Sequence, residues 1–260
     1  MQLNFDKSKI MHIGWRNPRT VYTMRDSATN ATHELAKTDL ERDLGVYISS
    51  DLKRHDQVSM AASKANSMLG VLKRTFTYRG KEMWLRLFTS YVRPYLEFAS
   101  SAWSPYLKGD ISTLEKVQHR ATKMAHSIRS LPYEARCAAL GLTSLETRRT
   151  RGDLIQMFKI AKGLDIVNWH HPPVCGQPRT GHRGQYRREI VPHCLPRHMF
   201  FSNRVAGPWN ALPDFVVDAP SVDAFKQRLD AHDKSCNSAS RTQFGSQGTP
   251  SPDDIFCCRA

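Results

Sequence analysis

No run of roughly 18 apolar residues occurs anywhere in the chain, so hydropathy offers no membrane-spanning helix. The first stretch, Met1–Met11, carries Asp6, Lys7 and Lys9 and lacks the apolar centre of a secretory signal. Cysteine is sparse: the six residues are scattered, with no Cys-x-x-Cys pair. We expect reduced thiols without disulfide partners in a nuclear or cytoplasmic, non-secreted protein. No Gly-x-x-x-x-Gly-Lys loop, Gly-x-Ser-x-Gly elbow or His-Glu-x-x-His helix is present, so these hydrolase and phosphate-loop signatures are missing. Hydrophobic residues make up 40%, below the usual roughly 45–50%, so a packed core is not expected along the whole length.

Acidic residues are also few. Against 24 Asp and Glu stand 38 Lys and Arg, a formal net charge of +14. Such an excess points to a polyanionic partner, RNA, DNA or an RNA–DNA duplex, with an anionic membrane surface as the competitor.

Residues 1–56 read as short strands and turns, with apolar runs at Ile10–Gly14 and Asp43–Ile48. From Gln57 the period becomes helical. Val58, Ala62, Ala65, Leu69, Leu72 and Phe76 share one face, with Lys64, Lys73 and Arg74 off it. A second helix from Lys81 places Trp84, Leu87 and Tyr91 inward until Pro94 kinks it. A third carries Leu114, Val117, Ala121, Met124 and Ile128, with Lys116, Arg120 and Lys123 on another face. Tyr133–Leu140 is a short helix ended by Gly141. Thr143 and Glu146 have capping-box spacing for a helix running to Gly163.

Repeated prolines forbid a long helix over 165–200, a stretch made basic by Arg179, Arg183, Arg187 and Arg188. Two short helices follow, one anchored by Trp209 and Leu212, one capped by Ser221 with Val222, Phe225 and Leu229 inward. After Lys234 the polar composition predicts disorder. The expected class is mainly α with a small N-terminal β element (α+β): a helical bundle, then a loop-rich region with short helices. The expected units are 1–56, 57–163, 164–233 and a tail at 234–260.

For chemistry, the adjacent carboxylates Asp253-Asp254 lie in that tail and read as solvated charge rather than ligands for two cations. Cys175, His182, His193, Cys194 and His198 lack the paired spacing of a structural zinc site, so no metal is expected. The basic faces are the stronger signal: Lys116, Arg120 and Lys123 span about two turns, and Arg148, Arg149 and Arg151 add to them. A solvated helix face is the alternative. Trp84, Tyr91, Tyr95 and Phe98, at helical spacing, read as core rather than stacking platforms.

A collinear series of segments resembles the C-terminal part of a non-LTR retrotransposon reverse transcriptase of the CR1- and Jockey-like kind. It begins with Asn4-Phe5-Asp6-Lys7-Ser8-Lys9-Ile10 and Asp43-Leu44-Gly45-Val46. Lys64-Ala65-Asn66, Tyr91-Val92-Arg93-Pro94-Tyr95-Leu96-Glu97-Phe98 and Trp103-Ser104-Pro105 follow. Leu114-Glu115-Lys116-Val117-Gln118, Arg151-Gly152-Asp153-Leu154, Phe201-Ser202-Asn203-Arg204 and Trp209-Asn210 complete it. The resemblance implies that 1–56 are the last palm strands and a primer-grip turn at Leu44, Gly45 and Val46. It implies a thumb over 57–163 that lies along template–primer nucleic acid. Lys7, with Lys9 as rival, matches a lysine that assists the leaving pyrophosphate in that family.

The family's metal-binding aspartates, which use Mg2+, and its fingers have no counterpart in this sequence. The chain is therefore expected to bind nucleic acid without polymerising and without a cofactor of its own. Met1 reads as an internal methionine or a start supplied by gene prediction. Two other readings stand beside this one: a stand-alone basic helical nucleic-acid module, and a helical protein-interaction domain with incidental charge.

Overall fold

The computed structural model describes residues 7–14, 16–26, 30–169, 172–176, 182 and 184–243. Its N-terminal part holds three separate two-stranded pairings. β1 (Lys9–Ile10) runs parallel to β4 (Ala36–Lys37), and β2 (Thr23–Arg25) pairs antiparallel with β3 (Thr32–Glu34). β5 (Leu40–Asp43) pairs antiparallel with β6 (Val46–Ser49), Asp43 opposite Val46. The Asp43–Ile48 run is thus two strands joined by a tight turn rather than one strand. The apolar pattern is continuous across Leu44 and hides that turn.

Six helices build the first core. α1 (His55–Thr75) lays Val58, Ala62, Ala65, Leu69 and Leu72 inward, the stripe that the spacing predicts. α2 (Lys81–Leu87) continues through one π-helical stretch, Phe88–Val92, into α3 (Arg93–Glu97). Pro94 has no N–H and its ring crowds the turn before it. The backbone widens there: the Arg93 N–H bonds the Phe88 carbonyl, five residues back.

The wide turn changes which side chains are buried. Trp84, Phe88, Val92 and Leu96, each four apart, all face the core. In a regular α-helix that spacing drifts around the axis, whereas a π-turn keeps it on one face. Tyr91, expected inside, is 54% exposed, and Tyr95 and Phe98 are 39% and 55% exposed. Ala99 is left-handed at φ 50° and exposed; α4 (Ser100–Trp103) restarts after it. α5 (Lys108–Thr122) carries Leu114, Val117 and Ala121, and its Ala121 carbonyl accepts the Trp84 indole N–H at 2.8 Å. α6 (Tyr133–Leu140) ends at Gly141, left-handed at φ 63°.

α7 (Leu145–Ala161) spans both cores. Its Leu145 belongs to the first, and Leu154, Met157 and Phe158 to the second. α7 thus contributes side chains to both cores. Its cap is Ser144, whose Oγ accepts the Thr147 N–H at 3.1 Å, one residue past the predicted Thr143.

The second core gathers α9 (Phe201–Asn210), α10 (Asp214–Val217) and α11 (Val222–Gln243), with α8 (Leu195–His198) beside α9. Trp209, Leu212, Phe225 and Leu229 are buried as expected, and Phe158 stacks on Phe225 at 4.4 Å. Ser221 accepts the Ala224 N–H at 3.2 Å. α11 runs past Lys234 to Gln243, correcting the expected start of the disordered tail. Once anchored, each added helical residue gains a hydrogen bond without renucleating. Residues 244–260, with Asp253-Asp254, lie outside the described residues. Helix dominates, at 54%, so the chain is mainly α with a small β element.

The seam between the cores is held by Arg204. Its Nε and Nη2 donate to Asp153 at 2.8 and 3.0 Å, and Nη2 also reaches the Ser101 carbonyl at 2.6 Å. Both partners are largely buried, at 13% and 7% side-chain exposure. Removing one partner strands the other charge inside. Arg204→Ala is expected to lower unfolding free energy by about 3 kcal/mol, read from urea denaturation.

Candidate nucleic-acid interface

α1 and α5 run side by side in the same direction. His55 pairs with Asp110 at 2.8 Å near their N-terminal ends, and Arg120 Nη1 donates to Asn66 Oδ1 at 2.5 Å farther along. The Asp110 carboxylate raises the His55 pKa above its ordinary value. Lys73 lies two turns beyond Asn66 on the same flank of α1. Lys73 thus lies past the end of the Lys116, Arg120 and Lys123 row of α5, and all four are exposed. Arg74 is exposed next to Lys73. Among the described residues, none of these five has an acidic partner. Lys73, Arg74 and Arg120 lie in last turns and Lys123 caps α5, places where cations suit the negative helix ends.

Lys64 lies on the other flank, under the β5–β6 turn. The turn uses Leu44 and Gly45 at φ 45° and 93°, the left-handed pair that a two-residue hairpin needs. Glycine suits the φ of 93° at Gly45, and a Cβ there would sit 3.1 Å from the Phe98 ring, tighter than ordinary contact. Leu44 is an unusual choice, because a branched side chain strains this region, and it is 91% exposed.

Beneath the turn runs a groove of about 530 Å³, bordered by Leu44, Gly45, Met60, Lys64, Tyr95 and Phe98. Arg42 and Lys64 also border it, and both lie over the Tyr47 ring, at 5.9 and 5.7 Å from its centre. At its floor Gln57 Oε1 accepts the Tyr47 backbone N–H at 2.9 Å.

The loop from β6 to α1 sets the hairpin against the helix. Asp51 Oδ1 accepts from Ser49 Oγ at 2.7 Å and from the Lys53 N–H at 2.9 Å. These bonds, the Ser49 hydroxyl first, hold the Asp51 carboxyl down at about 2.

The arginines of α7 have other duties. Arg148 is bound by both oxygens of Glu97, one at 3.0 Å. Arg151 is bidentate to Asp230 at 2.7 and 2.9 Å, which holds the Asp230 carboxyl below its usual range. Arg149 is only 3% exposed, and burial lowers its pKa. These three were expected to join the basic face; instead α7 lies between the cores, so its cations are paired or enclosed.

Val46 is half-buried against the first core. Lys7 is exposed, and its rival Lys9 is paired with Glu41 at 2.8 Å. His182, expected as a loop residue, is 2% exposed with Nε2 2.9 Å from the Trp209 carbonyl. Cys175, His193 and Cys194 are exposed, and no group of three or more His, Cys, Asp or Glu among the described residues could hold a metal. No helix among them is long and apolar enough to cross a membrane. Arg179 and Arg183 lie outside the described residues. Arg42 and Gln57 carry no local signal of this groove in the sequence, and Tyr95 and Phe98 have the spacing of core residues. The four- and three-residue spacing of Tyr91, Tyr95 and Phe98 was visible, but the π-turn that exposes them was not.

Two outcomes are expected. Leu44→Asn relieves the left-handed strain and raises stability by about 1 kcal/mol in urea melts. The Asp51 contribution is present above the unfolded carboxyl value of 3.8 and lost as pH falls toward about 2. The melting-temperature gap between wild type and Asp51→Ala therefore closes across that window. No family model, curated protein or solved structure matches the chain.

Proposed function

We propose that this chain is the thumb and C-terminal part of a reverse transcriptase of the non-LTR retrotransposon kind, binding template–primer nucleic acid without synthesising DNA by itself. The observation that carries the binding is the contrast between two sets of cations. Those of α7 are paired or enclosed. Lys73, Arg74, Lys116, Arg120 and Lys123 are exposed on adjacent helices with no acidic partner among the described residues. Exposed cations of this kind displace counterions from a phosphate backbone, giving affinity and position rather than sequence choice. Lys64 and the Leu44–Gly45 turn offer a second contact on the other flank of α1.

A specific feature favours a polymerase part over a self-contained module. The N-terminal strand pairs leave short edges, and Ile13, Val21 and Tyr22 are 45%, 50% and 52% exposed. Such edges and apolar residues suit another β element, here a palm.

The test is binding to an RNA–DNA duplex over a salt series. The affinity of the wild-type chain falls steeply with salt. The Lys116→Ala, Arg120→Ala, Lys123→Ala triple variant loses roughly 2–3 from the slope of log affinity against log salt. An unchanged slope sinks the assignment of this face. Primer extension on a poly(A) template is expected to yield no product, and incorporation that survives a contamination control overturns the inactive reading.

A further inference from the structure

Gln57, the third residue of α1, is 6% exposed. Its amide orientation follows from the bond to the Tyr47 N–H, which only the side-chain oxygen can accept. The Nε2 group therefore carries two protons, and nothing among the described residues takes them up. This nitrogen is not sealed inside protein; Gln57 borders the groove under the Leu44–Gly45 turn.

Three kinds of recognition meet in that groove. Tyr95 and Phe98 offer partly exposed aromatic surface. Gln57 offers a positioned donor, and Lys64 and Arg42 bring positive charge to the same walls. A paired, stacked duplex cannot present a base face, a base edge and a phosphate to one small groove. A single splayed nucleotide presents all three. The volume, about 530 Å³, lies within the roughly 300–1,000 Å³ of small-ligand pockets.

We propose that the groove takes one unpaired nucleotide of a bound strand. The base lies against Phe98 and Tyr95, an acceptor atom on its edge receives the Gln57 Nε2 proton, and its phosphate sits beside Lys64 and Arg42. Leu44, at the rim, stands as an apolar wedge between that base and its neighbour. This rests on the nucleic-acid reading above and adds a preferred substrate: a duplex with a single-stranded end rather than a blunt one.

The experiment compares a blunt RNA–DNA duplex with the same duplex bearing a short overhang that contains 2-aminopurine, using the full chain. The overhang substrate binds about tenfold tighter, in line with the stacking of one base on an aromatic side chain. Its fluorescence is quenched on binding. Gln57→Glu keeps the oxygen that Tyr47 needs and replaces the donor with a carboxylate oxygen, so the overhang preference falls toward unity. Phe98→Leu removes the stacking face and the quenching. Phe98 also touches Gly45, so a thermal melt accompanies that variant, and Gln57→Glu decides the matter if it unfolds. Equal affinity for both substrates, or a preference and quenching that survive Gln57→Glu, overturns the pocket. If duplex binding stays salt-dependent in that case, the wider reading stands; if neither substrate binds, both fall.

Discussion

The arrangement depends on a missing hydrogen-bond donor. Pro94 has no N–H to give, and the helix meets its ring by widening one turn at Phe88–Val92. That turn holds Trp84, Phe88, Val92 and Leu96 on one buried face. It therefore turns Tyr91, Tyr95 and Phe98 toward solvent. Phe98 in turn covers Gly45, so the β5–β6 turn docks where the aromatic surface is exposed. The groove is a consequence of this backbone defect together with the hairpin it receives.

Charge is divided by the same packing. α7 runs between two cores, where an uncompensated cation is costly, and Arg148 and Arg151 each meet a carboxylate in a bidentate fork. Together with Arg204 and Asp153 they tie α7 to α3, α9 and α11. α1 and α5 each keep one flank on the surface, and their lysines and arginines face water. Cations of one type thus serve cohesion in one place and remain available to a polyanion in another.

Much of the helical framework was readable in advance because local signals were sufficient. Gly141 and Gly163 end their helices with left-handed backbones, at φ 63° and 70°. Ser221 starts α11, and apolar spacing marks the inner faces of α1, α5 and α11. Local signals mislead where two of them compete. Thr143 had the spacing of a capping box, but Ser144 took the cap, while the Leu145 N–H was taken by Glu115 at 3.1 Å from another helix. Leu44 looked like a strand residue because β-turns of this type usually use Asn or Asp rather than leucine. Polar composition past Lys234 suggested disorder, although a helix already anchored by Phe225 and Leu229 propagates through it.

The sequence by itself determined the mainly helical class, the order of the helices and the excess of positive charge. Each of these follows from residue types, periods and terminators within a few turns of chain. Only the tertiary structure decided which cations stay free, which aromatics face outward and what the Gln57 amide can reach. Those outcomes depend on partners far apart in the chain, such as Glu97 with Arg148, Arg151 with Asp230 and Phe98 with Gly45. No local pattern encodes which distant group will arrive, because burial and pairing are settled only when the elements pack.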